Sequence, residues 1–85
     1  MVFIQSNMVY PDSARVLNEQ GVVYVQFIIN TDGSISDATV IRGAGRFIDA
    51  EAIRLIKLMP NWIPGTQNGK AVRVRYTLPI NFRLM

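Results

Sequence analysis

The fold is decided by residues 71–83, which read AVRVRYTLPINFR. Two kinds of residue alternate strictly along this stretch, and a period of two is typical of a β-strand. The even-numbered side chains form an apolar face: Val72, Val74, Tyr76, Leu78, Ile80 and Phe82. The odd-numbered positions form a polar and basic face: Arg73, Arg75, Thr77, Pro79, Asn81 and Arg83. The pattern predicts a strand in a sheet that is covered on one side only.

Two further strands and a hairpin turn precede this stretch. Residues 22–30 alternate in the same way, with one apolar face made of Val23, Val25, Phe27 and Ile29. Asp32-Gly33 then supplies the positive φ angles of a tight turn, and residues 35–42 return as the second strand. The alternation shifts within this second strand, which predicts a bulge near Ser36–Asp37.

Two helices are also predicted. Pro11 suits the first position of a short helix, and Gly21 suits a left-handed stop at its end. Residues 47–59 carry apolar side chains at helical spacing, namely Ile48, Ala52, Leu55 or Ile56, and Met59. Pro60 ends this second helix, and residues 61–70 are predicted as a loop because they contain two turn signals.

Rules for connecting strands then give the topology. The first two strands form an antiparallel hairpin, and a right-handed helical crossover places the third strand on the far side of the first. We therefore predict an α+β fold, with a three-stranded antiparallel/mixed sheet in the order 2-1-3 and two helices packed on one face. The third strand, residues 71–83, is expected to be an edge.

Length and composition exclude several functions. The chain has 85 residues, 49% of them apolar, which suits one folded domain over residues 1–85. It contains no cysteine and no histidine, which excludes thiol nucleophiles, imidazole bases and Cys/His zinc sites. Asp49 and Glu51 are two apart on a helix and do not face each other. We therefore expect no catalytic, metal-binding or cofactor-binding residue, and no enzyme.

An edge strand presents unpaired backbone N–H and C=O groups. The arginines and Pro79 fit simple protection against aggregation, and the alternative is β-augmentation, in which a partner peptide adds a strand. Since backbone groups alternate sides and proline has no N–H, the side of Pro79 is expected to be the open one. Arg73, Arg75 and Thr77 would then face a guest strand that pairs between Ala71 and Thr77.

Positive charge is concentrated in the second half of the chain. Residues 42–85 hold eight bases and two acids, whereas residues 1–41 hold one base and four acids. A basic half suits nucleic acid, an anionic membrane surface or an acidic peptide, and scattered basic residues also suit a solvated face. Nucleic-acid binding would require stacking aromatics on the arginine-bearing face, where only Tyr24 qualifies among the strand residues. No nucleic-acid partner is predicted.

Several short motifs occur in order along the chain. They are Tyr10-Pro11 with Ala14-Arg15, Gly21-x-Val23-x-Val25-x-Phe27, Asp32-Gly33, Arg42-Gly-Ala-Gly45, Ile48-Asp49 with Ala52, Trp62-x-Pro64-Gly65, Asn68-Gly69-Lys70 and Leu78-Pro79-Ile80-x-Phe82. The ordered set spans roughly Asn7 to Leu84 and resembles the C-terminal domain family of TonB, the energy transducer of Gram-negative envelopes. One departure precedes Tyr10, where Asn7-Met8-Val9 stands in place of the family's Gln-Pro.

The resemblance implies a non-catalytic periplasmic domain whose parent protein is anchored in the inner membrane. Its partner would be the TonB box, a short peptide of outer-membrane transporters that pairs with the last strand. An ExbB/ExbD-like complex would supply the force. The implied partner-binding residues lie on the open strand and before the first helix: Val72, Arg73, Val74, Arg75, Tyr76, Thr77, Asn7 and Tyr10. For Tyr10 the alternative is a packing role, and for Trp62 we expect a cover over the core.

Two other functional hypotheses are compatible with the same fold. The last strand could pair with its own copy across a two-fold axis, which would make the domain a homodimerisation module. The resemblance also allows that the chain is a TonB-like sensory domain of another membrane protein.

Overall fold

The computed structural model describes residues 8–84. Its elements, in chain order, are helix α1 (Asp12–Val16), strand β1 (Gly21–Ile29), strand β2 (Ile35–Arg42), helix α2 (Arg46–Leu58), strand β3 (Gly65–Gln67), strand β4 (Lys70–Val72) and strand β5 (Val74–Phe82). Asn7, one of the predicted partner-binding residues, lies outside the described residues.

The main sheet has the strand order β2-β1-β5, so the predicted 2-1-3 order is confirmed. The central strand, β1, runs antiparallel to both of its neighbours. Its alternating sequence explains this position, because one face of β1 is buried and the other is only half-buried. The sheet is therefore covered on one side, as its last strand predicted.

The predicted bulge is present in β2. Pairing with β1 passes from Gln26 opposite Thr39 to Ile28 opposite Ser36, so β2 has more residues than β1 in this interval. Asp37 lies within the bulge and adopts a φ of 55°. The irregular alternation in the sequence therefore records a real shift in register.

The core lies between the covered face of the sheet and helix α2, which packs against β2 and β1. It consists of one face of β1, the inward face of α2, the end of β5 and one residue of α1: Val23, Val25, Phe27, Ile29, Ile48, Ala52, Leu55, Ile56, Leu78, Ile80, Phe82 and Ala14. Full burial of each large apolar side chain contributes about 1.5–3 kcal/mol. This cluster is therefore the main source of stability.

The prediction of one strand over residues 71–83 is wrong at its beginning. Residues 70–72 form β4, which pairs with β3 in a separate two-stranded hairpin, and Arg73 separates β4 from β5. The cause is the turn at Asn68-Gly69, whose φ angles of 54° and 77° are both positive, as a type I′ hairpin requires. This turn folds residues 65–67 back onto β4, in a region that was predicted as a loop.

Helix α1 ends earlier than predicted. Asn18 adopts the left-handed conformation after the helix, with a φ of 55°, and Gly21 is already the first residue of β1. Asparagine is the second most suitable residue for such a stop, after glycine. Gly21 instead allows close packing, since a Cβ atom there would lie 2.9 Å from the Cβ atom of Ala44.

Candidate functional site

Strand β5 forms one edge of the main sheet, because β1 is its only strand partner within residues 8–84. The register is continuous from Gly21 opposite Phe82 to Ile29 opposite Val74. Pro79 is part of this ladder. A proline is tolerated within an edge strand, where its missing N–H can face solvent, so the sequence of β5 fits its position.

The structure divides the predicted guest-binding stretch, residues 71–77. Val72 is the last residue of β4 and lies opposite Gly65. Arg73 connects the two strands, and residues 74–77 begin β5. The structure therefore places residues 74–77 on the edge of the main sheet, and Val72 in the neighbouring hairpin.

The inward-facing side chains of β5 are buried unequally. Leu78, Ile80 and Phe82 expose 6%, 2% and 0% of their surface, whereas Tyr76 exposes 39% and Val74 is half-buried. The apolar face that was predicted as continuous is thus closed at the C-terminal end of β5 and open at its N-terminal end. Helix α2 packs on β1 and β2, so it covers the N-terminal end of β5 less completely.

An aromatic cluster of Phe27, Trp62 and Tyr76 supports the open end of β5. The ring centroids are 5.5 Å apart for Phe27 and Trp62, 5.4 Å for Trp62 and Tyr76, and 5.8 Å for Phe27 and Tyr76. Such pairs contribute about 0.5–1.5 kcal/mol beyond the burial of their area. Trp62 packs against the buried core, which is the role expected for it from the sequence.

The turn of the β1–β2 hairpin holds Trp62 in place. The backbone N–H of Trp62 donates to the carbonyl oxygen of Gly33 at 2.8 Å. Gly33 has a φ of 87°, and a Cβ atom at this position would collide with the carbonyl oxygen of Trp62. The glycine is therefore required both by its conformation and by the close approach of the Trp62 backbone.

The opposite face of β5 is basic at the same end. Arg73 donates from Nε to Oδ1 of Asn30 at 3.2 Å, and Arg75 forms no ion pair with any residue in the range 8–84. Together with Ile28 and Val74, the two arginines line a cavity of about 270 Å³. The edge is thus basic on one face and aromatic on the other.

Tyr10 lies near the other end of β5. Its ring packs edge-on against Phe82, with the centroids 5.9 Å apart, and its hydroxyl donates to the carbonyl oxygen of Glu19. Burial and the carboxylate of Glu19 raise the pKa of the Tyr10 hydroxyl above its usual value. Phe82 is six residues beyond Tyr76, or about 20 Å along a strand, so the structure does not bring Tyr10 to the open end.

Glu51 is a buried acid whose burial the sequence analysis missed. Only 6% of its surface is exposed, and its carboxylate accepts the backbone N–H of Val9 at 2.7 Å and two bonds from Arg54 at 2.6 and 2.7 Å. Burial raises the pKa of Glu51, but the bonds from Arg54 and Val9 outweigh that effect and hold the pKa below its usual value. Glu51 lies one helical turn after Ile48 and one turn before Leu55, and this spacing could have identified it as inward-facing.

Glu19 supplies the missing cap of α2, and Asp49 bonds to the backbone just before the helix. Glycine 45 precedes the helix and offers no side-chain cap. Oε1 of Glu19 accepts the N–H groups of Phe47 and Ile48 at 3.0 and 3.2 Å. Oδ1 of Asp49 accepts the N–H of Ala44 at 3.0 Å. These acids have structural roles, and no three acidic side chains converge on a metal-sized site within the described range 8–84.

Comparison with known proteins identifies a family. The family model described as Gram-negative bacterial TonB protein C-terminal matches residues 6–84. A curated relative, Protein TonB of Haemophilus influenzae, is 30% identical over a region that covers 88% of this chain. That region is 29% of the length of the Haemophilus protein.

Two solved structures have the same fold. Both are solution NMR structures of the Helicobacter pylori TonB C-terminal domain. The structure of its residues 179–285 has a TM-score of 0.74 and 27% identity, and the match covers 99% of this chain and 76% of that one. The structure of its residues 194–285 has a TM-score of 0.69 and 28% identity, covering 95% and 85% respectively.

Proposed function

This chain belongs to the family of Gram-negative bacterial TonB protein C-terminal domains, and we propose that it is a non-catalytic domain that pairs the outer edge of β5 with a partner's peptide. The partner is the TonB-box segment of an outer-membrane transporter. In such β-augmentation the backbone hydrogen bonds provide affinity and the side-chain contacts provide specificity. One observation carries the proposal: residues 74–77 combine a strand edge that is unpaired within residues 8–84 with an apolar face that is incompletely covered.

The position of Pro79 supports an open side formed by the odd-numbered residues of β5. In an antiparallel ladder the backbone groups of alternate residues point to opposite sides. Because Pro79 has no N–H to donate, the pairing with β1 loses no bond when the odd-numbered residues point outward. Arg75 and Thr77 then direct their N–H and C=O groups toward a guest, while Tyr76 bonds to β1.

The β3–β4 hairpin supports the same arrangement for the residues before β5, in which the odd-numbered residues direct their backbone groups outward. Its two-residue type I′ turn is closed by the pair Gln67 and Lys70, and in such hairpins the closing pair is hydrogen-bonded. Lys70 and Val72 therefore direct their backbone groups toward β3, which leaves those of Ala71 free. This arrangement supports a guest-binding stretch that begins at Ala71.

The wider assembly is inferred from the family. The chain spans 29% of the length of its Haemophilus relative, and we propose a periplasmic location on a parent protein that is anchored in the inner membrane. An ExbB/ExbD-like complex would drive that parent. Among the helices within residues 8–84, none has the length and apolar character needed to cross a membrane.

An NMR titration tests the pairing. The 15N-labelled domain is titrated with a synthetic TonB-box peptide, and with a control peptide of the same sequence in which every backbone amide is N-methylated, so that no N–H can be donated to β5 in either register. We expect the largest amide shifts between Ala71 and Thr77, small shifts in β2 at the opposite edge, and no binding of the control peptide. Shifts that spare residues 71–77 would refute pairing at β5.

A second copy of the chain is the alternative occupant, because the same free edge can pair across a two-fold axis. Sedimentation over a range of concentrations, with and without the peptide, separates the two cases. If peptide binding and self-association both use β5, the peptide dissociates the dimer. If only self-association uses β5, the dimer persists. A TonB-like sensory domain would use this edge in the same way and would differ in its parent protein.

A further inference from the structure

We propose that the open end of β5 selects guest strands in which acidic and apolar residues alternate. The apolar side chain would pack on Tyr76 and the acidic side chains would lie beside Arg73 and Arg75. This inference rests on the proposed function and specifies the chemistry of the guest. Its basis is a pair of surfaces at the same end of the strand, one on each face. Within residues 8–84, the Tyr76 ring is only partly covered and Arg75 has no ion-pair partner.

Strand geometry determines which side chains of the guest reach each of the two surfaces. Side chains on neighbouring strands that lie side by side point to the same face of a sheet. A guest residue beside Tyr76 therefore points to the face covered by α2, and the residues before and after it point to the face of Arg75. This holds for a parallel or an antiparallel guest, because side chains alternate between the two faces of the sheet in either direction.

The inner surface accepts an apolar side chain. Tyr76 exposes 39% of its surface although it stands in an apolar pattern, and its ring is backed by Trp62 at 5.4 Å. A guest side chain there would cover the Tyr76 ring and the half-buried Val74. The next inward residues, Leu78 and Ile80, are already buried, so the preference for an apolar residue is confined to this end.

The outer surface accepts carboxylates. Arg75 has no ion-pair partner in the described part of the chain, and Arg73 is bonded to a neutral amide of Asn30. Arg73 and Arg75 both line the cavity of about 270 Å³ at the strand edge, and a guanidinium group can donate a charge-assisted hydrogen bond to a carboxylate. Further along this face Thr77 and Pro79 carry no charge, so acids are preferred beside the arginines only.

Two peptides of identical composition test the inference. In one, aspartate and valine alternate; in the other, the same residues form an aspartate block and a valine block. Trp62 is the only tryptophan of the chain and contacts Tyr76, so its fluorescence reports whether a guest side chain covers Tyr76. We expect the alternating peptide to bind about tenfold more tightly and to change the Trp62 emission.

Equal affinities of the two peptides, with amide shifts on β5, would overturn the inference and leave the pairing intact. Failure of every peptide to bind, the TonB-box peptide included, would overturn the pairing itself and the inference with it.

A charge reversal provides a second test. Arg75→Glu should abolish the preference for an alternating aspartate–valine peptide over an alternating lysine–valine peptide, because the new carboxylate offsets the charge of the remaining Arg73. Arg83→Glu is the matched control, because it makes the same change in net charge beyond the end of β5 and should keep the original preference. The same response in both variants would show a general effect of net charge and would overturn the inference. Tyr76→Ala should reduce the tenfold preference for alternation, whereas Tyr24→Ala on the central strand should preserve it.

Discussion

The carboxylate of Glu19 lies against Gly45 so closely that a Cβ atom on the glycine would stand 2.5 Å from Oε1 of Glu19. The same oxygen accepts the N–H groups of Phe47 and Ile48, so a residue that precedes β1 caps helix α2. Gly45 has a φ of 176°, an extended conformation that any residue adopts. Its value to the fold is therefore the space that it leaves for Glu19.

This relationship predicts coupled stabilities. Glu19→Ala should lower the free energy of unfolding by about 1 kcal/mol, a typical value for loss of a helix cap, and Gly45→Ala should cause a similar loss by displacing the carboxylate. The double variant should lose clearly less than the sum of the two, because both changes remove the same cap. Urea unfolding followed by circular dichroism measures all three, and strictly additive losses would contradict the shared mechanism.

Gly33 and Gly69 form a matched pair for testing how Trp62 is anchored. Both have positive φ angles, 87° and 77°, but a Cβ atom on Gly69 would meet nothing within 4 Å, whereas one on Gly33 would collide with Trp62. Gly69→Ala should cost about 1–2 kcal/mol of backbone strain, and Gly33→Ala should cost more and shift the Trp62 fluorescence. Equal losses of stability, with unchanged fluorescence, would show that the contact with Trp62 does not depend on this glycine.

The buried carboxylate of Glu51 predicts a dependence on pH. Because the pKa of Glu51 is lowered in the folded state, its ionised form favours folding. That contribution is complete above the ordinary value of 4.5 and is lost as the pH falls through the lower folded-state pKa. Glu51→Gln should lower the free energy of unfolding by about 1–2 kcal/mol at pH 7, and the difference from the unchanged protein should narrow toward pH 3.

Urea unfolding of both proteins at several pH values measures this difference, and the other acids cancel because both proteins contain them. The amide resonance of Val9, which donates to Glu51, should move over the same acidic range. A difference in stability that stays constant down to pH 3 would contradict the role given to ionised Glu51.

Proline substitution on β5 tests which backbone groups face outward. Arg75→Pro should leave the domain folded, as Pro79 already does at another odd-numbered position, and should abolish binding of the TonB-box peptide. Arg75→Ala removes the charge but keeps the N–H, so it should weaken binding only a few-fold. Tyr76→Pro should unfold the sheet, because its N–H is required by β1. If Arg75→Pro and Arg75→Ala bind equally, the outward N–H of residue 75 plays no part.

Much of the fold could be predicted because its causes are local. The period of two in β1 and β5, the Asp32-Gly33 turn and the irregular alternation around Asp37 are each contained in a few neighbouring residues. These features were sufficient for the bulge and, together with the right-handed crossover rule, for the order of the strands. Asn68-Gly69 carried an equally local hairpin signal, but the three residues of β3 before it are too few to show a strand pattern, and β3 was missed.

The remaining features depend on residues that are distant in sequence. The exposure of Tyr76 follows from where α2 lies on the sheet, which alternation within β5 cannot reveal. The approach of Trp62 to Gly33 joins the end of one helix to a turn that precedes the helix in the sequence. The buried carboxylate of Glu51 accepts the N–H of Val9, which is far from it along the chain. Each of these features is a tertiary contact. Sequence periodicity indicates at most which face of an element a residue lies on, and not which distant residue it contacts.

The nine-residue ladder between β1 and β5 also has a mechanical consequence. A guest seated on the outer edge of β5 and pulled along the strand axis would load this ladder in shear, so that its hydrogen bonds bear the tension together. The same pull applied across the strands would open them one pair at a time and at a lower load. Continuous pairing of the edge strand with the centre of the sheet therefore gives the domain a strong direction and a weak one.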